Sequence, residues 1–145
     1  MKKVNTNNFK KTLSKFSTGI TVVCVKNNNS IYGKTVNSFN SLSLNPPMVL
    51  FSLGNYSSSI KKFSKTKFLS INILSSKQKK LSDNFALTEP NLEDIKFIEG
   101  KNKTVIIPNC IANLECKLID KIKKGNDPNG SVDNPDKIVS FSEIK

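Results

Sequence analysis

The feature that most constrains the fold is a series of short, β-branched apolar runs separated by residues that favour turns. Residues 20–25 form one such run, and residues 27–30 form a turn signal because Asn tolerates a positive φ. A second strand over about residues 31–38 should therefore return antiparallel to the first. The pair Pro46-Pro47 forces extended backbone. The apolar run 48–53 that follows it is typical of a fully buried strand.

The rest of the chain continues this pattern of short elements. Further strands are predicted at residues 68–74, 104–107, about 111–122 and 137–144, and loops over 88–103 and 123–136. Short helices are predicted from Thr6 or Asn7 to Phe16, at 60–63 behind a serine N-cap, and over 77–85. Six or seven antiparallel strands with two or three short helices predict one mainly β domain over residues 1–145, built as a closed or nearly closed barrel.

The formal charge of +12 is carried entirely by 23 Lys, because the chain has no Arg. Proteins that bind nucleic acid rely on Arg for bidentate contacts with guanine and phosphate, so no nucleic-acid partner is predicted. Lys, Asn and Ile share A/T-rich codons, and codon bias alone accounts for this composition. A role in attracting anionic ligands stays open beside that explanation.

The sequence contains no His, which removes Ser-His-Asp and Cys-His catalysis and His-ligated zinc from the mechanisms available to it. Its three cysteines, Cys24, Cys110 and Cys116, are too few and too scattered for a Cys₄ metal site. We interpret them as small buried hydrophobic residues. A cofactor must then carry any difficult chemistry, and neither a catalytic side chain nor a metal site is predicted.

No stretch of the sequence approaches the roughly 20 apolar residues that span a bilayer. The basic start, Met1-Lys2-Lys3, is followed by polar residues rather than by the apolar run of a signal peptide. We therefore expect a cytoplasmic protein without a membrane partner.

Two segments have the chemistry of a binding site. Residues 33–41 bring hydroxyls, amides and a lysine to a strand end, beside a glycine that permits close backbone approach. Residues 75–78 (Ser-Ser-Lys-Gln) form a strand-to-helix junction, where free N–H groups, hydroxyls and an ammonium could hold a phosphate. Polar strand ends and serine-capped helices are also ordinary structure, and neither a GxGxxG nor a GxxxxGK[ST] motif is present.

Six segments occur in a familiar order and spacing: FSTGITVV (16–23), GKTVNSF (33–39), SLSLNPPMVLFSL (41–53), FLSINILS (68–75), LSDNFA (81–86) and ANLEC (112–116). Together with the Ser57–Ser59 triplet they resemble the flavin reductase-like family of FMN-binding split barrels. The resemblance covers about residues 9–122. It implies a homodimeric split β-barrel that binds FMN, or less often FAD, near the subunit interface.

The resemblance also implies where the cofactor-facing residues lie. The isoalloxazine and ribityl chain would be lined by Lys34, Thr35, Val36, Asn37 and Ser38, with Ser52 and Leu53 on the neighbouring strand. The phosphate would lie near Ser75, Lys77 and Gln78, and Ser57 and Ser58 would be on the same cofactor-facing side.

The reaction implied by the resemblance is hydride transfer from NADH or NADPH to the flavin. In many relatives the reduced flavin then supplies a separate monooxygenase, which makes such an oxygenase an expected partner. Flavin carries the electrons, so the absence of histidine from the chain is compatible with this reaction.

Two departures from the family pattern leave an alternative open. Many relatives have a Gly-Asp-His motif after the long strand, whereas this chain has Gly125-Asn126-Asp127-Pro128. Family members usually continue for about one strand beyond the position of Lys145, so the chain is expected to lack that strand. The alternative is a non-catalytic flavin- or haem-binding split-barrel protein.

Overall fold

A computed structural model describes residues 5–53, 62–63, 65–124 and 137–144, with backbone alone for 123–124 and 137–144. Within the described ranges, two complete α-helices, α1 (Thr6–Leu13) and α2 (Lys79–Ala86), and a 3₁₀ turn (Ser76–Gln78) accompany nine strands. The strands are β1 (Thr21–Asn27), β2 (Ser30–Val36), β3 (Asn40–Leu44), β4 (Pro47–Leu53), β5 (Phe68–Ile73), β6 (Ile98–Glu99), β7 (Val105–Ile106), β8 (Ala112–Lys124) and β9 (Lys137–Ile144).

Seven of the strands form one antiparallel sheet in the order β2-β1-β5-β8-β9-β4-β3, which confirms the predicted mainly β fold. The β1–β2 hairpin closes at the predicted Asn turn, where Asn28 has a φ of 53°. The sheet curls until the residues after β2 meet β4. There the Ser38 hydroxyl donates to the Ser52 carbonyl at 3.1 Å and accepts from the Ser52 N–H at 2.8 Å. These bonds cross the split between the two ends of the sheet.

Strand β1 is buried on both faces, which explains its unbroken apolar sequence. Val23 and Val25 belong to the core inside the barrel, with Phe51 and Ile71. On the other face, Val22 and its neighbours belong to a second core that lies under α2 and the segment 88–111. The chain therefore builds an inner core and an outer layer on the two sides of one strand.

The outer layer depends on close packing of α2 against the hairpin. A Cβ atom on Gly33 would come within 2.5 Å of the Phe85 ring and 3.3 Å of the Cys24 sulfur. Phe85 is fully buried, so the glycine is what allows α2 to lie directly on β2. The predicted helix is thus confirmed, with its first turn replaced by the 3₁₀ turn.

Strand β7 is shorter than the predicted strand 104–107, because the N–H of Ile107 bonds to a side chain and not to the backbone of another strand. The Ile107 N–H donates to Asn72 Oδ1 at 2.9 Å, and β7 pairs only with the two-residue β6. The rest of segment 88–103 is loop, as predicted.

The prediction that residues 48–53 form a fully buried strand is wrong. In β4 only the alternate residues Val49, Phe51 and Leu53 are buried, since this strand contributes one face to the inner core. Half-burial on the other face is typical of an antiparallel strand without a second covering layer.

Helix α1 also differs from its prediction. Its N-cap is Asn5, whose side chain accepts hydrogen bonds from the N–H groups of Asn7 and Asn8, so neither Thr6 nor Asn7 is the cap. It ends at Leu13 rather than Phe16. The predicted helix at 60–63 lies outside the described residues except for positions 62 and 63. Neither α-helix of the described ranges, at eight residues each, could cross a membrane.

Candidate functional site

The polar end of β2 is attached to helix α2. The Thr35 hydroxyl donates to the Ser82 carbonyl at 2.7 Å. The Lys34 ammonium donates to the carbonyls of Leu87 and Thr88 just beyond the helix. Partial burial lowers the pKa of Lys34, and the nearby Glu89 carboxylate partly offsets this effect. Through these bonds, the side chains of Lys34 and Thr35 fix the position of α2 on the edge of the sheet.

The other predicted residues of the strand ends divide between core and surface. Val36 and Leu53 are buried in the inner core, whereas Asn37 is exposed. Ser38 and Ser52 are bonded to each other across the split, as described above. Val36 and Leu53 are therefore part of the apolar core, and Asn37 is the residue of this group that is open to solvent.

The junction between β5 and α2 is organised by Gln78. Its Oε1 accepts from the Ser75 N–H at 2.9 Å, and its Nε2 donates to the Pro108 carbonyl at 2.9 Å. Ser75 is half-buried and Lys77 is exposed. Gln78 thus fixes the junction backbone and attaches it to the 107–109 segment, and the Lys77 side chain lies at the surface.

Two cavities flank this junction and share Ser75, Ser76 and Gln78 in their walls. The smaller, of about 320 Å³, extends towards Thr18, Gly19 and Ser82, the residue whose carbonyl binds Thr35. The larger, of about 950 Å³, extends towards residues 94–96 and 107–109. Of the predicted site residues, Ser75, Lys77 and Gln78 line these cavities, and Thr35 reaches the smaller one only through its bond to Ser82 in the middle of α2. Residues 34–38, Ser52 and Leu53 line neither cavity, and Ser57 and Ser58 lie outside the described residues.

Several wall residues escaped the sequence analysis. Gly19 and Ser82 lie within the segments FSTGITVV and LSDNFA that carry the family resemblance, but nothing in those segments pointed to a role for these two residues in binding. Asp94 and Lys96 come from the segment 88–103 interpreted as polar loop, and Asn109 from the connection between the predicted strands 104–107 and 111–122; nothing in either pattern points to a cavity.

The described residues offer the chemistry of binding rather than of nucleophilic attack. Burial raises the pKa of Cys24 far above its ordinary value and that of Cys116 to about 12, so both thiols are protonated at neutral pH. Cys110 is half-exposed, and burial raises its pKa as well, against hydrogen bonds from Gln78 and Asn113 that lower it. Within the described ranges, no group of His, Cys, Asp and Glu is arranged to hold a metal ion.

The junction also fits a planar ligand that ends in phosphate. The smaller cavity combines the apolar Ile20 and Leu74 with hydroxyls from Ser75 and Ser82. The larger adds Lys77, an unburied ammonium that can pair with phosphate. Flavin mononucleotide has this combination of an aromatic ring system and a terminal phosphate.

Comparison with known proteins assigns the family. Residues 13–128 match the model of the flavin reductase like domain, so the chain belongs to this family. It is 35% identical over 113 residues to the FMN reductase (NADH) SmoA of Agrobacterium fabrum, covering 78% of this chain and 65% of the relative. It is 32% identical over 111 residues to the monooxygenase reductase subunit HsaB of Mycobacterium tuberculosis, covering 76% and 59%.

Solved structures agree with this assignment. The flavin reductase PheA2 superposes with a TM-score of 0.83 at 30% identity, over 98% of this chain and 86% of that protein. The flavin reductase HpaC, solved with NADP⁺, gives a TM-score of 0.80 at 28% identity, over 97% and 83%. The fold is therefore the split barrel of the flavin reductases. The chain spans somewhat less than two thirds of the length of the first two relatives named here.

Proposed function

We propose that the protein is an NAD(P)H-dependent flavin reductase that transfers a hydride from NADH or NADPH to FMN, with FAD as the second flavin. One observation carries the proposal. In a chain of the flavin reductase family, two cavities with apolar and hydroxyl-bearing walls flank the 75–78 junction, and Thr35 on β2 is bonded to Ser82 in the wall of the smaller one.

In this proposal, the chain binds and orients the flavin. Ser75 and Lys77 hold the phosphate, and Gln78 keeps the junction in place through its bonds to Ser75 and Pro108. The ring and ribityl chain lie along residues 34–38, supported by Ser52 and Leu53, with Ser57 and Ser58 on the same side. The bound flavin supplies the redox chemistry by accepting the hydride.

No side-chain acid or base is needed for the hydride step. The protein contributes by placing the nicotinamide against the flavin ring and by excluding water around them. The protonated state of the buried Cys24 and Cys116 supports this division of labour, since neither can act as a nucleophile near neutral pH.

The active form in this proposal is a cytoplasmic homodimer. Large apolar side chains stay exposed on the described surface of one chain, among them Phe16 (77%), Leu44 (88%) and Ile111 (72%). Covering such residues with a second copy would remove apolar area from water. The partner that consumes reduced flavin is a flavin-dependent monooxygenase, a proposal motivated by the name of the HsaB relative as a monooxygenase reductase subunit.

The proposal is tested by steady-state oxidation of NADH and NADPH, followed at the nicotinamide absorbance band, with FMN as the varied substrate. We expect consumption that depends on flavin and saturates with it. A visible spectrum of the purified protein with added FMN or haem identifies any bound group independently. A protein that binds flavin or haem and oxidises neither nucleotide would be a passive binder and would overturn the proposed activity.

A further inference from the structure

A basic surface lies at the end of β1 that is farther from the two cavities. The smaller cavity adjoins the start of β1, where Thr21 pairs with Ile73, and the β1–β2 hairpin closes at the other end of the strand. At a rise of about 3.3 Å per residue, the seven residues of β1 place its two ends about 20 Å apart. The connection that leads into β5, described at positions 62–63 and 65–67, is attached to this hairpin end. The function proposed above assigns no role to it.

The backbone of this connection is fixed by hydrogen bonds on two sides. Asn27 Nδ2 donates to the Lys62 carbonyl at 2.9 Å, and Asn27 Oδ1 accepts from the Thr66 hydroxyl at 2.7 Å. On the other side, the Lys67 carbonyl accepts from the Leu118 N–H of β8 at 2.9 Å. The side chains of the connection therefore start from a backbone whose position is set before any partner arrives, which lowers the entropic cost of binding.

Two ammonium groups of the connection are held over aromatic rings. Lys62 Nζ lies 5.2 Å from the centroid of the Tyr32 ring, and Lys67 Nζ lies 5.5 Å from that of Phe68. A cation–π contact restricts a lysine side chain without neutralising its charge. Lys65 is exposed like the other two lysines, and none of the three forms a salt bridge with another residue of the described ranges. The connection thus presents three uncompensated positive charges.

Strand β8 extends the positive charge beside the connection. Lys117 is the sheet partner of Phe68, and Lys121 shares a cavity of about 310 Å³ with the connection. Ile119 and Asp120 line the same cavity, and Ile119 is 44% exposed at the bulge in the strand. These four residues of β8 and the three lysines of the connection make up what we call the lysine surface. It has five positive charges and one negative charge around an exposed apolar side chain.

The chemistry of the lysine surface fits an acidic protein better than it fits other polyanions. Nucleic-acid sites use Arg and exposed aromatic rings, whereas the chain has no Arg and the rings of Tyr32 and Phe68 are half-buried beside ammonium groups. A surface that binds a membrane inserts several large apolar side chains, and the lysine surface has only Ile119. Carboxylates arranged around an apolar contact would complement both its charge and its apolar centre.

We propose that the lysine surface binds an acidic face of another protein. The identity of that protein rests on the proposed function, which makes it the monooxygenase that consumes reduced flavin. Binding at the hairpin end leaves both cavities open. It also keeps the two enzymes together, which raises the effective concentration of reduced flavin at the oxygenase.

The test uses a fluorescently labelled polyglutamate peptide as the acidic probe, with fluorescence anisotropy at low salt as the measurement. Wild type should bind the peptide, and the double variant Lys65→Glu/Lys67→Glu should bind it about tenfold more weakly. The matched control is Lys15→Glu/Lys80→Glu, which makes the same change of net charge at exposed positions outside the lysine surface. This control should weaken the peptide by less than about threefold, since exposed charges at a distance are screened.

Equal weakening by the two double variants would show that the peptide responds to net charge alone, and absence of binding to wild type would be equally contrary to the proposal. Tighter binding of duplex DNA or of phosphatidylglycerol vesicles than of the peptide, lost in Lys65→Glu/Lys67→Glu, would reassign the surface to that partner. Thermal unfolding shows whether the variants fold, and Lys65→Gln/Lys67→Gln should weaken the peptide less than the glutamate pair does.

The proposed function is tested separately on the same proteins. Flavin-dependent oxidation of NADH should be equal in wild type and in Lys65→Glu/Lys67→Glu, because the lysine surface lies away from both cavities. A protein that binds the peptide through this surface and oxidises no nicotinamide nucleotide keeps the acidic partner and loses the reductase activity, and with it the oxygenase as that partner.

Discussion

The inner core and the outer layer of this protein are held together by different interactions. The core inside the barrel is lined by aliphatic, aromatic and cysteine side chains from β1, β2, β4, β5 and β8. The outer layer has its own apolar cluster, but hydrogen bonds of Asn72, Gln78 and Thr35 fix its loops and helix. Apolar packing tolerates small shifts, whereas a buried hydrogen bond requires a particular geometry. Both candidate cavities belong to the outer layer, where geometry is specified more tightly.

The largest effect should come from the inner core. Phe51 is fully buried there, and Phe51→Ala should lower the free energy of unfolding by about 3–5 kcal/mol through lost burial and the cavity that remains. Urea unfolding followed by circular dichroism measures the change. Lys80→Ala, at an exposed position on α2, is the control and should change the free energy of unfolding by less than about 0.5 kcal/mol. A loss below about 1 kcal/mol for Phe51→Ala would contradict this description of the core.

Asn72→Leu tests the outer layer with a side chain of similar size. It removes the acceptor for the Ile107 N–H and the partners of Asn113 and the Val22 carbonyl, so the free energy of unfolding should fall by about 2–3 kcal/mol. Hydrogen exchange at the Ile107 amide should accelerate more than at the amides of β1. If the exchange rates at both places rise equally, Asn72 supports the whole fold rather than the outer layer.

Lys77→Glu tests the phosphate contact at the junction. It should weaken FMN by about tenfold or more and leave riboflavin almost unchanged, because only FMN carries the phosphate. Fluorescence quenching of the two flavins gives both dissociation constants. Lys80→Glu makes the same charge change nearby at an exposed position and serves as control. Equal weakening of FMN and riboflavin by Lys77→Glu would exclude the contact.

Thr35→Val tests the attachment of α2 to β2 with an isosteric change. Losing the bond from the hydroxyl to the Ser82 carbonyl should cost about 1 kcal/mol of stability. Thermal unfolding measures that loss, and flavin titration should show weaker binding, since Ser82 lines the smaller cavity. Unchanged flavin affinity in a destabilised variant would separate the position of α2 from the cofactor site.

The smallest expected effect is a dependence of stability on acid. Burial raises the pKa of Glu115, but bonds from the N–H groups of Asn102 and Lys101 and from the Thr104 hydroxyl outweigh it and lower the pKa below its ordinary value. The stabilisation is present above the carboxyl's unfolded pKa and is lost as the pH falls through its folded pKa. Wild type should therefore lose more stability than Glu115→Gln between neutral and acidic pH. Parallel pH profiles of the melting temperature would contradict this.

The sequence predicted the barrel better than the site, for a physical reason. The runs that became β1 and β5 are fixed by hydrophobic burial, which leaves a local pattern in the chain. The half-burial of β4 depends on which elements lie against its two faces, and the local pattern does not record this. The same holds for the apolar side chains of α1, which stay exposed although their spacing is that of a buried helix face.

The 75–78 junction was predictable because it combines a strand end with a helix start. Its bond to Pro108 was not, because thirty residues separate Gln78 from its partner. Segment 107–109, which also lines the larger cavity, is held at Ile107 by Asn72 and Asn113 on distant strands. Tertiary hydrogen bonds of this kind leave no periodic signal in a single sequence.

The alternation of side chains along β1 gives the experimenter two independent controls on one strand. Odd-numbered positions such as Val23 point into the barrel, and even-numbered positions such as Val22 point under α2 and the cavity walls. Substitutions at odd positions should therefore tune the melting temperature, and those at even positions should tune ligand affinity. Thermal stability and ligand affinity could therefore be changed separately by choosing odd-numbered or even-numbered positions of β1.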